Sequence, residues 1–231
     1  MNKLHAENVS IEITRRCNMA CAHCMRGDAE DTDIDHRHIR NLLQHFRRIR
    51  RFNITGGEPS LNPRAIRYIL KQLKSFDIRV EDFYIVTNGS LSSLSQSFID
   101  ACSALYAYQE DKDQNEFHHM LEMSDDRFHD SRNREEVTTV LNRYPFFGMR
   151  GQDRNIFLFK EGRCGKGYPN PVQPIFLTKE NEICGDVYLN ARGEILSNGN
   201  LSYLRQKDNV LCRSSCFLQY IKTTLKKFLY E

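Results

Sequence analysis

Cys17-Asn18-Met19-Ala20-Cys21-Ala22-His23-Cys24 sets three cysteines in C-x3-C-x2-C spacing. Just before it, Val9-Ser10-Ile11-Glu12-Ile13-Thr14 alternates and is β-branched, the signature of a strand. Three thiolates crowded at the end of a strand can hold three irons of a [4Fe–4S] cluster and leave the fourth iron without a protein ligand. Zinc is the competing use of clustered cysteines. An iron left open can bind a small molecule and act on it, not only pass electrons.

Composition narrows the setting. A chain of 231 residues is long enough for one large domain, or a core with a small appendage. An apolar fraction of 40%, with 14 Phe and 10 Tyr, supports a packed interior. The formal net charge of +3 leaves no nucleic-acid footprint, so nucleic acid is not an expected partner. The run Arg47-Arg48-Ile49-Arg50-Arg51 reads as the solvated end of a helix. Eight cysteines would suit a secreted disulfide framework, but three of them crowd into one short stretch. Met1 to His5 carries no apolar signal region, and no apolar run of about 18 residues occurs. The expectation is a reducing cytoplasm and no membrane partner.

Outward from the cysteines, apolar spacing predicts a helix from Asp35 to about Arg50, then a short strand, Phe52 to Thr55, ending in Gly56-Gly57-Glu58-Pro59. Asn62 and Pro63 open a second helix. Phe83 to Thr87 is a third strand closed by Asn88-Gly89, Ser93 to Ser103 a helix, and Ala104 to Tyr108 a fourth strand. Glu110 to Arg134 is polar and His-rich, and Arg134 to Tyr144 is helical. Phe146 to Gly148 and Asn155 to Phe159 read as strands, Asp186 to Leu196 as a hairpin, and Phe217 to Leu229 as an amphipathic helix. Strands alternating with helices, with the chemistry in loops after the strands, give an α/β class with a parallel sheet and a site at its C-terminal edge.

The cysteine spacing with an aromatic residue before the last cysteine, followed by Gly-Gly-Glu-Pro after the second strand, resembles the radical S-adenosylmethionine (radical SAM) superfamily. The resemblance implies a partial (β/α)6 TIM-type barrel, here with a short C-terminal hairpin-plus-helix extension. It implies a [4Fe–4S] cluster held by Cys17, Cys21 and Cys24, with SAM on the open iron. One electron would then cleave SAM to methionine and a 5′-deoxyadenosyl radical that takes hydrogen from a substrate. Carried over by position, His23 packs near the adenine, and Gly56, Gly57, Glu58 and Pro59 meet the SAM amino group. Asn88 adds a polar contact, and Arg163 of Gly162-Arg163 meets the SAM carboxylate. Tyr106, Tyr108 and Gln109 would face into the barrel, where the family carries smaller polar groups. His118, His119 and His129 read as surface residues or as part of the SAM loop.

Cys184, followed by Gly193 and Asn198, resembles the start of a SPASM or Twitch extension, with Asn198 where a cysteine is expected. Cys184, Cys212, Cys216 and Cys164 are the candidates for an auxiliary [4Fe–4S] cluster or a structural zinc, with free buried thiols as the alternative. Cys102 reads as core. The expected division is residues 1–161 as the radical SAM core and 162–231 as the extension. The expected substrate is a peptide or protein side chain, with a nucleotide or other small metabolite as the alternative. A cluster-bearing regulatory protein without catalysis is the third reading. A reductant such as flavodoxin or ferredoxin is the implied electron donor.

Overall fold

Val9, Ile11 and Ile13 turn one way from their strand into a fully buried core, while Ser10 and Glu12 turn the other way. That strand, β1 (Leu4–Thr14), lies in the middle of the sheet in this computed structural model, which describes residues 3–112, 119–150 and 158–224. On one side of β1 follow β2 (Phe46–Gly56), β3 (Arg79–Thr87), β4 (Leu121–Ser124) and β5 (Phe147–Arg150), each parallel to its neighbour. The connecting helices are α1 (His36–Leu43), α2 (Pro63–Phe76), α3 (Gln96–Tyr108) and α4 (Arg134–Leu141).

On the other side the chain returns after β6 (Phe176–Leu177) to lay β7 (Glu182–Leu189) parallel to β1. β8 (Glu194–Leu196) and β9 (Cys212–Arg213) then add antiparallel strands, and β6 pairs antiparallel with β7. α5 (Tyr203–Gln206) and α6 (Phe217–Thr223) complete the elements. The order β5-β4-β3-β2-β1-β7 is a run of parallel strands that does not close on itself, the partial TIM-type barrel expected.

Local chemistry accounts for the helix starts. The Asp35 carboxylate accepts from the Arg37 amide at 2.8 Å, and Asn62 Oδ1 accepts from the Ala65 amide at 3.2 Å with Pro63 next. Helices cover the face that carries Val9, Ile11, Ile13, Phe52, Ile54, Phe83 and Ile85. The opposite face is polar. Asn53 Nδ2 donates to Ser10 Oγ at 3.1 Å, Tyr84 Oη to Glu122 at 2.6 Å and Tyr188 Oη to Glu12 at 2.7 Å.

Several expected elements fall elsewhere. α1 ends at Leu43, and Arg47 to Arg51 belong to β2, not to a helix end. Each arginine of the run meets an acid: Arg47 pairs with Asp77, Arg48 with Glu81, Arg50 with Glu7 and Arg51 with Asp82. Pairing with two flanking strands overrides the helical spacing. Ala104 to Tyr108 ends α3 instead of forming a strand, because Phe98, Ile99, Cys102 and Leu105 make one buried helical stripe. The fourth strand is Leu121–Ser124, inside the stretch read as polar.

Tyr108 Oη consequently donates to the Ile78 carbonyl at 2.8 Å, and Gln109 Oε1 accepts from the Phe83 amide at 3.2 Å. Neither faces into the barrel. Cys102 is core, as expected. The strand expected at Asn155 to Phe159 and the end of the helix expected to Leu229 lie largely outside the described residues, as does His118.

Candidate active site

β1, β2 and β3 end side by side, and their C-terminal ends deliver the cysteine loop, Gly57–Pro59 and Asn88–Ser90 to one rim. The two glycines are required by backbone contact. The Gly57 amide donates to the Thr14 carbonyl and the Glu58 amide to the Arg16 carbonyl, both at 2.8 Å. A Cβ on Gly56 would lie 2.3 Å from Thr14 O, and one on Gly57 2.2 Å from Arg16 O. Gly57→Ala is therefore expected to cost about 1–3 kcal/mol through overpacking against backbone that cannot yield. Thermal unfolding measures this, and a midpoint equal to wild type would refute it.

Glu58 is fully buried and engaged. One carboxylate oxygen accepts from the Ser60 amide at 3.0 Å and from Thr87 Oγ1 at 2.8 Å; the other accepts from the Asn88 amide at 2.8 Å. Burial pushes its pKa up, and these donors oppose the rise. The carboxylate, expected near an ammonium group, is also a strut between the ends of β2 and β3. Pro59 begins a short 3-10 turn under the same rim. Asn88 Nδ2 donates to Asn18 Oδ1 at 2.9 Å and lies 3.8 Å from Cys17 Sγ, so it ties β3 to the cysteine loop. Asn18 Nδ2 returns a bond to Ser90 Oγ at 2.7 Å.

Cys17, Cys21 and Cys24 are free thiols, each partly exposed. Burial pushes the Cys17 and Cys21 thiols up. From the opposite side Gly162-Arg163 clamps the loop. The Arg163 amide donates to the Cys24 carbonyl at 2.9 Å, its Nε to the Cys21 carbonyl at 3.1 Å, and its Nη1 to Asp28 at 3.1 Å. Gly162 has φ +56°, and a Cβ there would sit 2.5 Å from Cys24 O. Arg163 thus braces the loop.

The His23 ring, expected against an adenine, has one face covered by Phe128 at 4.4 Å between centroids. Asp126, Phe128 and His129 follow β4, and sequence reasoning passed over the first two. Their signal is the Asp-x-x-His spacing shortly after Met120-Leu121-Glu122-Met123. The Asp126 carboxylate would rise on burial, but the His129 side chain and the Phe128 amide hold it below the usual range.

The four later cysteines do not assemble. Cys184 pairs with Phe176 low on β7, whereas Cys212 pairs with Ile195, which pairs with Leu189. Those levels are about 16 Å apart at ~3.3 Å per strand residue. Cys164 is buried, its Sγ donating to the Lys166 carbonyl at 2.7 Å. Asn198, at the missing cysteine's position, donates to Asn170 Oδ1 and the Pro171 carbonyl, both at 3.1 Å.

Comparison with known proteins agrees with the geometry. The model of the Radical SAM superfamily matches residues 11–144. A stretch of 94 residues is 34% identical to GTP 3′,8-cyclase of Limosilactobacillus fermentum, covering 38% of this chain and 27% of that protein. A second, 32% identical over 95 residues, is GTP 3′,8-cyclase of Lactiplantibacillus plantarum, covering 38% and 28%. The matches thus span little more than a quarter of these relatives. Among solved structures, tagged anSMEcpe with bound AdoMet superposes with a TM-score of 0.59 at 10% identity, over 97% of this chain and 82% of that one. Native anSMEcpe with bound AdoMet and a peptide gives 0.59 at 9% identity over the same shares. Both likenesses concern the fold. The chain belongs to the radical SAM superfamily, enzymes that work with a [4Fe–4S] cluster and S-adenosylmethionine.

Proposed function

We propose that Cys17, Cys21 and Cys24 ligate the [4Fe–4S] cluster, and that Gly56, Gly57, Glu58 and Pro59, with Asn88, hold SAM beside it. The observation carrying this is the junction of the cysteine loop with the Gly56–Pro59 segment through the Thr14 and Arg16 carbonyls. The donor set fits such a cluster. Three soft thiols stand free, while the Cys21 and Cys24 carbonyls are taken up by Arg163, the Cys24 amide and the Gly27 amide. When bound, the cluster and SAM supply one-electron cleavage to methionine and a 5′-deoxyadenosyl radical that takes hydrogen from substrate.

The chain's own residues set the geometry. Glu58 fixes the spacing of the strand ends, Asn88 orients the loop from one side, and Arg163 braces it from the other. The polar face carrying Ser10, Asn53, Tyr84 and Glu122 offers neutral and acidic groups to a substrate inside the barrel.

The substrate read here is a peptide or protein side chain. The Arg47–Arg51 run, which would suit phosphates, is matched acid by acid. A nucleotide is the second reading, favoured by the relatives named for GTP. A flavodoxin or ferredoxin is the electron donor of this proposal, and the cytoplasm its setting. Among the described residues no helix is long and apolar enough to cross a membrane.

The test is anaerobic reconstitution with iron and sulfide, then SAM and dithionite, with 5′-deoxyadenosine measured by chromatography. The wild-type chain is expected to form it, and Cys24→Ala to form none. Equal amounts from both would sink the proposal. Adding GTP or candidate peptides, and reading which one speeds 5′-deoxyadenosine formation, separates the two substrate classes.

A further inference from the structure

We propose that His23, Asp126 and His129 form a mononuclear site for a divalent first-row cation of the zinc class, distinct from the three cysteines. One ligand atom from each of these side chains lies within 4.8 Å of the other two. They come from two loops: His23 from the cysteine loop, and Asp126 and His129 from the turn after β4. All three are mostly buried, with 16%, 10% and 13% of their side-chain surfaces exposed.

The hydrogen bonds give the site its form. Asp126 Oδ1 is saturated, accepting from the Phe128 amide at 2.8 Å, the His129 amide at 3.2 Å and His129 Nδ1 at 2.8 Å. These bonds fix the carboxylate and leave Oδ2 aimed at His23. Oδ2 stands 3.9 Å from His23 Nε2, too far for a hydrogen bond. His23 Nδ1 is itself buried with no hydrogen-bond partner. An imidazole that makes no hydrogen bond, beside an oriented carboxylate and a second imidazole, is an arrangement that a bound cation at one of its nitrogens engages.

The chemistry agrees. Two imidazoles and one carboxylate suit zinc or ferrous iron, and bonds of about 2.0–2.2 Å put ligand atoms a little over 3 Å apart. Phe128 stacked on His23, with Arg127 over Phe128 at 4.9 Å, shields one side of the site. Three protein ligands on a tetrahedral ion leave one position for water or a substrate oxygen or nitrogen. Occupied, the ion would fasten the β4 turn to the cysteine loop.

The experiment loads the reconstituted, chelator-washed chain with zinc alone, desalts it anaerobically, and measures zinc and iron per chain. Wild type is expected to keep one zinc beyond its iron. Asp126→Asn and His129→Ala are expected to bind zinc about tenfold or more weakly while keeping wild-type iron. Equal zinc in all three chains, or none in wild type, overturns the proposal. X-ray absorption at the zinc edge of the wild-type chain decides the matter even if a variant does not fold. A shell of nitrogen and oxygen alone is expected, and a sulfur shell would assign the zinc to cysteines. Iron is read separately, so failure here is distinct from failure of the cluster assignment.

Discussion

Arg15→Met is expected to destabilise the folded chain by about 3 kcal/mol, the low end for breaking a buried ion pair. Arg15 is the largest fully buried side chain among the described residues, and its Nε donates to Glu12 Oε1 at 2.7 Å. Its other nitrogens reach Glu30 at 3.0 Å and Gln206, and its guanidinium lies 4.3 Å over the Tyr203 ring. Methionine fills comparable space but leaves the Glu12 carboxylate short of a partner. Arg26, fully buried nearby, remains and limits the loss.

The pH dependence has a definite sign. Burial alone would raise the Glu12 pKa, but Arg26 and Arg15, with hydrogen bonds from Tyr188 and Ala191, hold it below the usual carboxylate range. A depressed folded pKa gives stability that is present above the unfolded value, about 4.3, and lost as pH falls through the folded value. Without Arg15 this protection weakens, so the variant's deficit is expected to be largest near pH 7 and to shrink near pH 4.5. Urea unfolding of both chains at the two pH values measures this. A deficit that grows on acidification would show that Glu12 is not the group left exposed. Arg15→Met with Glu12→Gln is expected to recover part of the loss, because the uncompensated charge is gone.

Glu58→Leu is the second large effect. Its carboxylate accepts from the Ser60 amide, the Asn88 amide and Thr87 Oγ1. The Thr87 hydroxyl can turn fully to Ser93 Oγ, already 2.6 Å away, but the two amides have no such recourse. At about 1–3 kcal/mol for each of the two orphaned buried donors, the expected cost is roughly 2–6 kcal/mol. The strand ends it spaces are those carrying Gly57 and Asn88, so 5′-deoxyadenosine formation is expected to fall further than the melting midpoint implies. Glu58→Gln keeps the shape but turns a donor toward donors, and is expected to recover less than half of either quantity. Full activity in Glu58→Leu at a temperature where it is folded would remove the strut from the mechanism.

The sequence was most informative where one residue type has one use. Cysteine spacing, Gly56-Gly57-Glu58-Pro59 and the Asp35 and Asn62 caps led to the barrel and its rim, because each is a local signal. It misled where two periods compete. Arg47 to Arg51 is charged enough to pass for a helix end, and only the acids on neighbouring strands make it a strand. Leu121 to Ser124 was hidden by its short length and polar flanks. The burial of Glu58 and its three donors, which come from two separate loops, were not legible from its charge. The bonds of Arg163 to the loop's carbonyls were likewise not legible. The Glu12–Arg15 centre was not legible at all, since its partners Tyr188, Ala191 and Gln206 lie far along the chain.

That distance bears on the order in which the molecule is made. β1 is made well before one of its two neighbours, β7, and before the donors around Glu12. Until residues 182–206 emerge, β1 has a bare edge and its buried carboxylate lacks three of its hydrogen bonds. Pairings this remote in sequence form slowly and leave exposed edges meanwhile. The nascent sheet is therefore open along β1 until β7 is made, with the cysteine loop at the end of that open edge.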